Sequence, residues 1–141
     1  MARFKNILVP VDFTDKNTPA IEIALDLAAA SGGQVTLVHV IEKIALDTDL
    51  ELAEFYAKLG TRAQAALDSL TRPFTSAGVF ANQKIRYGKR LAEIVGEAAE
   101  GRFDLIVMAS HRPDVQHPLQ TWATLSYQVS ALCPSPVLLV K

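Results

Sequence analysis

A chain of 141 residues, half of them hydrophobic and about a fifth charged, has the length of one domain and the composition of a folded one. That length buries roughly two thirds of the unfolded surface, so no disulfide or metal is needed to hold a core, and the one cysteine, Cys133, has no internal partner. The formal net charge of −1 provides no basic surplus for nucleic acid or a membrane surface, and no apolar run is long enough to cross a bilayer. No signal-peptide core precedes the first strand, and the expected location is the cytoplasm.

Five strands alternate with four helices. The first strand, Asn6 to Val11, is a continuous apolar run of the kind buried on both faces. Thr18 is an N-cap candidate and Pro19 suits the first helical position. Ile21, Leu25 and Ala28 follow at helical spacing, and Gly32-Gly33 ends the helix. Strand two is Val35 to Ile41, rich in β-branched residues. A polar stretch around Asp47 to Asp49 opens a long second helix with an apolar stripe of Leu52, Tyr56, Leu59, Ala63, Ala66 and Leu70, and Pro73 stops it. Strand three falls within Val79 to Tyr87, with Gly88 turning the chain. Helix three carries Leu91, Ile94, Val95 and Ala98 on one face and ends near Gly101. Strand four, Leu105 to Ala109, is wholly apolar. A loop with Pro113 and Pro118 leads to helix four, Thr124 to Leu132, and strand five is Val137 to Val140.

Strict alternation of this kind implies right-handed crossovers and a parallel sheet covered on both faces: a three-layer, doubly wound α/β domain spanning residues 1–141. Ligands of such sheets bind beyond the carboxyl ends of the strands, where the winding reverses. Three segments occupy such ends. In Val9-Pro10-Val11-Asp12, the carboxylate suits a ribose hydroxyl or an adenine amine, or else closes a turn onto the backbone near Thr14. In Leu37-Val38-His39-Val40-Ile41, the strand end exposes backbone that can pair with a base edge, while His39 reads as a hydrogen-bonded core histidine. In Met108 to Asp114, Arg112 can hold phosphate oxygens bidentately and Ser110 and His111 can donate to them. Helix four adds free N–H groups near Thr124. The plainer reading makes Ser110 a turn former, Arg112 a surface charge and Thr124 an N-cap.

Ile7 to Asp12, Leu37 to Val40, Tyr87-Gly88, Asp104 to Arg112 and the closing Pro134-Ser135-Pro136-Val137-Leu138-Leu139-Val140 together resemble the universal stress protein family, from about Lys5 to Lys141. The resemblance implies a five-stranded parallel sheet in the order 3-2-1-4-5. It also implies an adenine nucleotide such as ATP bound without efficient hydrolysis, with magnesium arriving only with the nucleotide. Carried over by position, the nucleotide-binding set is Pro10, Val11, Asp12, Val40, Ala109, Ser110, His111, Arg112, Ala123, Thr124 and Leu125. Family members commonly pair strand five with its copy in a second subunit, which implies a homodimer through Val137, Leu138, Leu139 and Val140.

The chain departs from the family pattern in the phosphate loop. Ala109 and Arg112 stand where ATP-binding members carry a Gly-x-x-Gly pair, and Ala123-Thr124 replaces Gly-Ser or Gly-Thr. The run Ser110-His111-Arg112-Pro113 resembles a branch in which an arginine supplies charge in place of bare backbone. Ala123 adds a methyl, Leu125 removes a side-chain amide, and Ala131 and Leu132 stand at positions that are often basic. The alternative reading is a dimeric stress-response interaction protein with an empty site and an unidentified protein partner, for which the loop bearing His117, Pro118 and Trp122 is a candidate surface. No Ser/His/Asp arrangement, nucleophile elbow or P-loop lysine motif points to an enzyme.

Overall fold

The computed structural model describes residues 3–43, 50–112 and 115–141, without the side chains of Thr121 and Trp122. The expected start of helix two at Asp47 to Asp49, Pro113 and Asp114, and the Trp122 side chain lie outside what is described.

The strands are β1 (Asn6–Pro10), β2 (Gln34–Glu42), β3 (Ala81–Gly88), β4 (Leu105–Ala109) and β5 (Val137–Val140). They form one parallel sheet in the order β3-β2-β1-β4-β5. Between them run α1 (Thr18–Ser31), α2 (Leu50–Ser76), α3 (Arg90–Glu100), the five-residue α4 (Pro118–Trp122) and α5 (Leu125–Leu132). The doubly wound order and the four longer helices agree with the sequence; α4 is an addition to it.

Successive side chains of a strand face opposite sides of the sheet, and the core divides accordingly. Ile7, Val9, Val35, Leu37, Leu105 and Val107 face α1 and α2, where Ile21, Ala24, Leu67 and Phe74 meet them. Leu8, Val38, Val40, Ile106 and Met108 face the other way, against Ile94 and Ala98 of α3 and Val129 of α5. Both faces of β1 and β4 are buried, which is why those strands read as unbroken apolar runs. Cys133 packs at the margin of this second layer, and burial pushes its thiol pKa up.

Several boundaries differ from the sequence reading for definite reasons. β1 ends at Pro10, although the Val11 amide still donates to Val38 at 2.9 Å. A 3-10 turn over Asp15–Asn17 runs straight into α1, so Asn17 occupies the N-cap and Thr18 is already helical. Pro73 does not stop α2, which continues through it to Ser76. The fully buried Phe74 ring anchors that last turn. The helix ends where Gly78 takes a left-handed φ of 74° and the Val79 amide returns to the Phe74 carbonyl. The inward residues of α2 are Ala63, Leu67, Thr71 and Phe74, while Leu52 is exposed, so the apolar stripe drifts off the core at its N-terminal end.

Candidate functional site

β1 lies between β2 and β4, so the winding reverses between β1 and β4. A cleft of about 910 Å³ opens there, lined from β1 and its following loop by Pro10, Val11, Asp12 and Phe13 and from β2 by His39 and Val40. Beyond β4 it is lined by Ala109 and His111, and at the start of α5 by Thr124, Leu125 and Ser126. Leu59, Arg62, Ala63 and Ala66 of α2 form a further wall. The volume lies within the range of small-molecule sites.

Asp12 closes a turn. Its Oδ1 accepts from the Thr14 amide at 3.0 Å, the Thr14 hydroxyl at 2.7 Å and the Asn17 side-chain amide. Burial raises the Asp12 pKa, but these donors together outweigh it and hold the carboxyl below its ordinary value. All of these bonds fall on Oδ1, so Oδ2 keeps its acceptor capacity among the described residues while the residue lines the cleft. The turn and a ligand contact are therefore compatible, one on each oxygen.

The turn also places Phe13 at a φ of 65°, unusual for a bulky residue. Its ring stacks on His39 with centroids 4.1 Å apart. His39 Nδ1 lies 2.8 Å from the Val11 carbonyl oxygen. A carbonyl can only accept, so Nδ1 carries the hydrogen. The half-buried imidazole is a bonded wall residue, as its place in an apolar strand suggests.

Backbone geometry shapes the next feature. In a strand, the N–H and C=O of alternate residues point to the same side. The Val38 carbonyl bonds the Val11 amide, so Val40, two residues on, also directs its backbone groups toward β1. Pairing between β1 and β2 ends at Pro10 with Val38. The Val40 N–H and C=O thus face the crevice past the end of their neighbour, one donor beside one acceptor.

On the β4 side, the Ser110 amide bonds the Val140 carbonyl at 2.8 Å, and its hydroxyl meets that of the buried Ser126 at 2.8 Å. Ser110 thereby ties the loop to α5 and is occupied in doing so. Thr124 sits in the extended N-cap position, and the first helical bond runs from the Gln128 amide to the Thr124 carbonyl. The amides of Leu125 and Ser126 precede that bond and have no acceptor within the helix.

Of the residues expected in the site, Pro10, Val11, Asp12, Val40, Ala109, His111, Thr124 and Leu125 come together around the cleft. Ser110 supports it from behind, Arg112 is exposed and does not line it, and Ala123 lines a neighbouring hollow. Sequence reasoning missed Phe13, Arg62, Arg90 and Ser126. Arg62 shares a helical face with Leu59, Ala63 and Ala66, a spacing that could have revealed it. It has no ion-pair partner among the described residues, whereas Arg90 Nε pairs with Glu42 Oε1 at 2.9 Å. Among those residues no cluster of histidine, cysteine and carboxylates could hold a metal, and no helix is long and apolar enough to cross a membrane.

A doubly wound parallel sheet with a cleft at its switch point defines a class of α/β domain that holds its ligands beyond the carboxyl ends of the strands. The chain belongs to the universal stress protein family, whose model matches residues 3–141. Universal stress protein E of Photorhabdus laumondii is 26% identical over 147 residues, covering 100% of this chain. This chain spans only 46% of that relative's length. Among solved structures, universal stress protein UspA of Lactobacillus plantarum aligns with a TM-score of 0.79 at 23% identity, covering 100% of both chains. A universal stress protein in complex with cAMP aligns with a TM-score of 0.79 at 19% identity, covering 100% of this chain and 99% of that one. A family protein of Arabidopsis thaliana with AMP bound gives 0.69 at 17%, covering 97% and 91%.

Proposed function

We propose that this chain is a regulatory module that binds an adenine nucleotide in the cleft between β1 and β4 and does not hydrolyse it efficiently. The observation that carries this reading is the Val40 backbone, whose donor and acceptor stand side by side past the end of β1. Adenine presents a matching acceptor and amine on its Watson–Crick edge. Asp12 Oδ2 would accept from the ribose hydroxyls, and the start of α5 at Thr124 and Leu125, with His111, would receive the phosphates. Arg112, exposed next to His111, would add a cation to that end. Arg62 on the opposite wall gives the cleft a further cation suited to an anionic ligand. The cAMP and AMP complexes of proteins alike in fold support an adenine nucleotide as the ligand class. Magnesium would arrive with a triphosphate and leave with it.

Thermal unfolding tests the reading, using protein stripped of endogenous ligand. ATP with magnesium at a hundredfold excess over its Kd would stabilise the fold by about 2.7 kcal/mol, which raises Tm by roughly 10 °C at this size. Asp12→Ala would remove most of that rise. An unchanged Tm at millimolar ATP would refute it.

The outer side of β5 supports a second property. Among the described residues β5 pairs only with β4, and Leu138 is exposed there with Leu132 close by in sequence on α5. An apolar edge strand of this kind invites pairing, and we propose a two-fold dimer through Val137 to Val140.

A further inference from the structure

A second hollow, of about 590 Å³, adjoins the cleft. Glu42, Arg90 and Leu125 line both, so the two are contiguous. Beyond this shared wall stand Lys43, Gly88 and Lys89, with Ala123 and Gln128 of the α5 side opposite.

Among the described residues the hollow is cationic in a chain whose formal net charge is −1: Lys43, Lys89 and Arg90 stand with one lining carboxylate, that of Glu42. That carboxylate is engaged with Arg90 at 2.9 Å. No carboxylate among the described residues pairs with either lysine. The Lys43 ammonium stands 5.3 Å from the ring centre of Tyr56 and 5.6 Å from that of Tyr87. Aromatic faces steer an ammonium without neutralising its charge, so Lys43 is both positioned and available to an anion. Gly88 fixes the other lysine. Its φ of 149° turns β3 into α3, and its carbonyl accepts from the Lys43 amide at 3.3 Å. Lys89 and Arg90 are thereby set at the rim next to Lys43.

We propose that this hollow is an anion subsite that receives the distal phosphates of a nucleotide whose base occupies the cleft. The ligand class rests on the adenine-nucleotide reading above, and the subsite makes the protein selective for polyphosphate chain length. Several like charges raise the local concentration of a multivalent anion far more than that of a monovalent one. Arg90, shared between the two spaces, exchanges its Glu42 contact for a phosphate as the chain crosses.

Calorimetric titration of the whole chain with AMP, ATP and inorganic tripolyphosphate tests this. ATP is expected to bind at least about tenfold more tightly than AMP. The pair Lys43→Met and Lys89→Met removes that advantage and leaves AMP affinity unchanged. Lys89→Met alone, which disturbs no aromatic contact, removes part of it. Tripolyphosphate binds protein already saturated with AMP, and fails to bind the double variant. AMP binding without any lysine-dependent gain for ATP, or tripolyphosphate displacing AMP, overturns the subsite and leaves the cleft reading standing. Lysine-dependent tripolyphosphate binding without AMP binding supports the anion site and removes the nucleotide assigned to the cleft.

Discussion

The His39 imidazole donates from Nδ1 to the Val11 carbonyl oxygen at 2.8 Å, joining β2 to the chain just after β1 ends. Both residues line the cleft, and the bond fixes the chain just before the Asp12 turn, while the Phe13 ring stacks on the imidazole. His39→Ala leaves a partly buried carbonyl without its donor, which costs about 1–2 kcal/mol. The expected result is a Tm lower by roughly 3–8 °C and weaker nucleotide binding from a loosened turn. An unchanged Tm would show that the bond is redundant.

The Asp12 carboxyl is held below its ordinary value of 3.8 by Thr14 and Asn17, against the effect of its burial. A carboxylate whose pKa is lower in the folded state contributes stability above its unfolded value. That contribution disappears as pH falls through the folded value. Carbon-13 titration of the Asp12 carboxyl should give a midpoint under 3.8, and Asn17→Ala should raise it. The associated loss of stability belongs below pH 3.8, so the turn is expected to be intact at neutral pH. A midpoint at or above 3.8 would contradict the arrangement.

Arg86 on β3 reaches Glu93, Glu97 and Glu100 of α3 at 3.0, 3.1 and 3.1 Å. Glu97 is buried, and among the described residues only Lys84, at 3.9 Å, stands by as another cation. Arg86→Met leaves that carboxylate poorly paired and should cost about 3 kcal/mol by urea unfolding. Replacing both residues with Met restores stability to within about 1 kcal/mol, because an apolar pair avoids the desolvation of two charges. Equal losses in the single and double variants would show that the pair itself carries the stability.

Leu138 lies on the exposed side of β5. Leu138→Glu places a charge in the proposed dimer seam, and sedimentation at micromolar concentration should change from dimer to monomer with little change in the fold. A monomer before mutation would exclude strand pairing.

The fold was legible because its strands announce themselves: β4 and β1 beyond Asn6 are apolar runs of the kind used in a sheet buried on both faces. α2 was harder. Pro73 reads as a stop, yet burial of Phe74 outweighs the lost hydrogen bond and extends the helix past it. Local sequence left Asp12 between a turn and a ligand contact, because it cannot show that the two uses fall on different oxygens. Arg62, Arg90 and Ser126 come from elements distant in sequence and meet only when the sheet is wound. Ser110 was expected to face a phosphate, and its partner Ser126 is sixteen residues away, beyond the reach of a local pattern.

Pairing of the Val40 backbone with an adenine edge is tested directly by amide NMR. Titrating nitrogen-15-labelled protein with ATP, and in parallel with GTP, should shift the Val40 amide strongly with ATP. GTP should shift it weakly, because guanine presents a donor where adenine presents an acceptor. Shifts that spare Val40, Asp12 and Thr124, or that are the same for both nucleotides, would contradict the account.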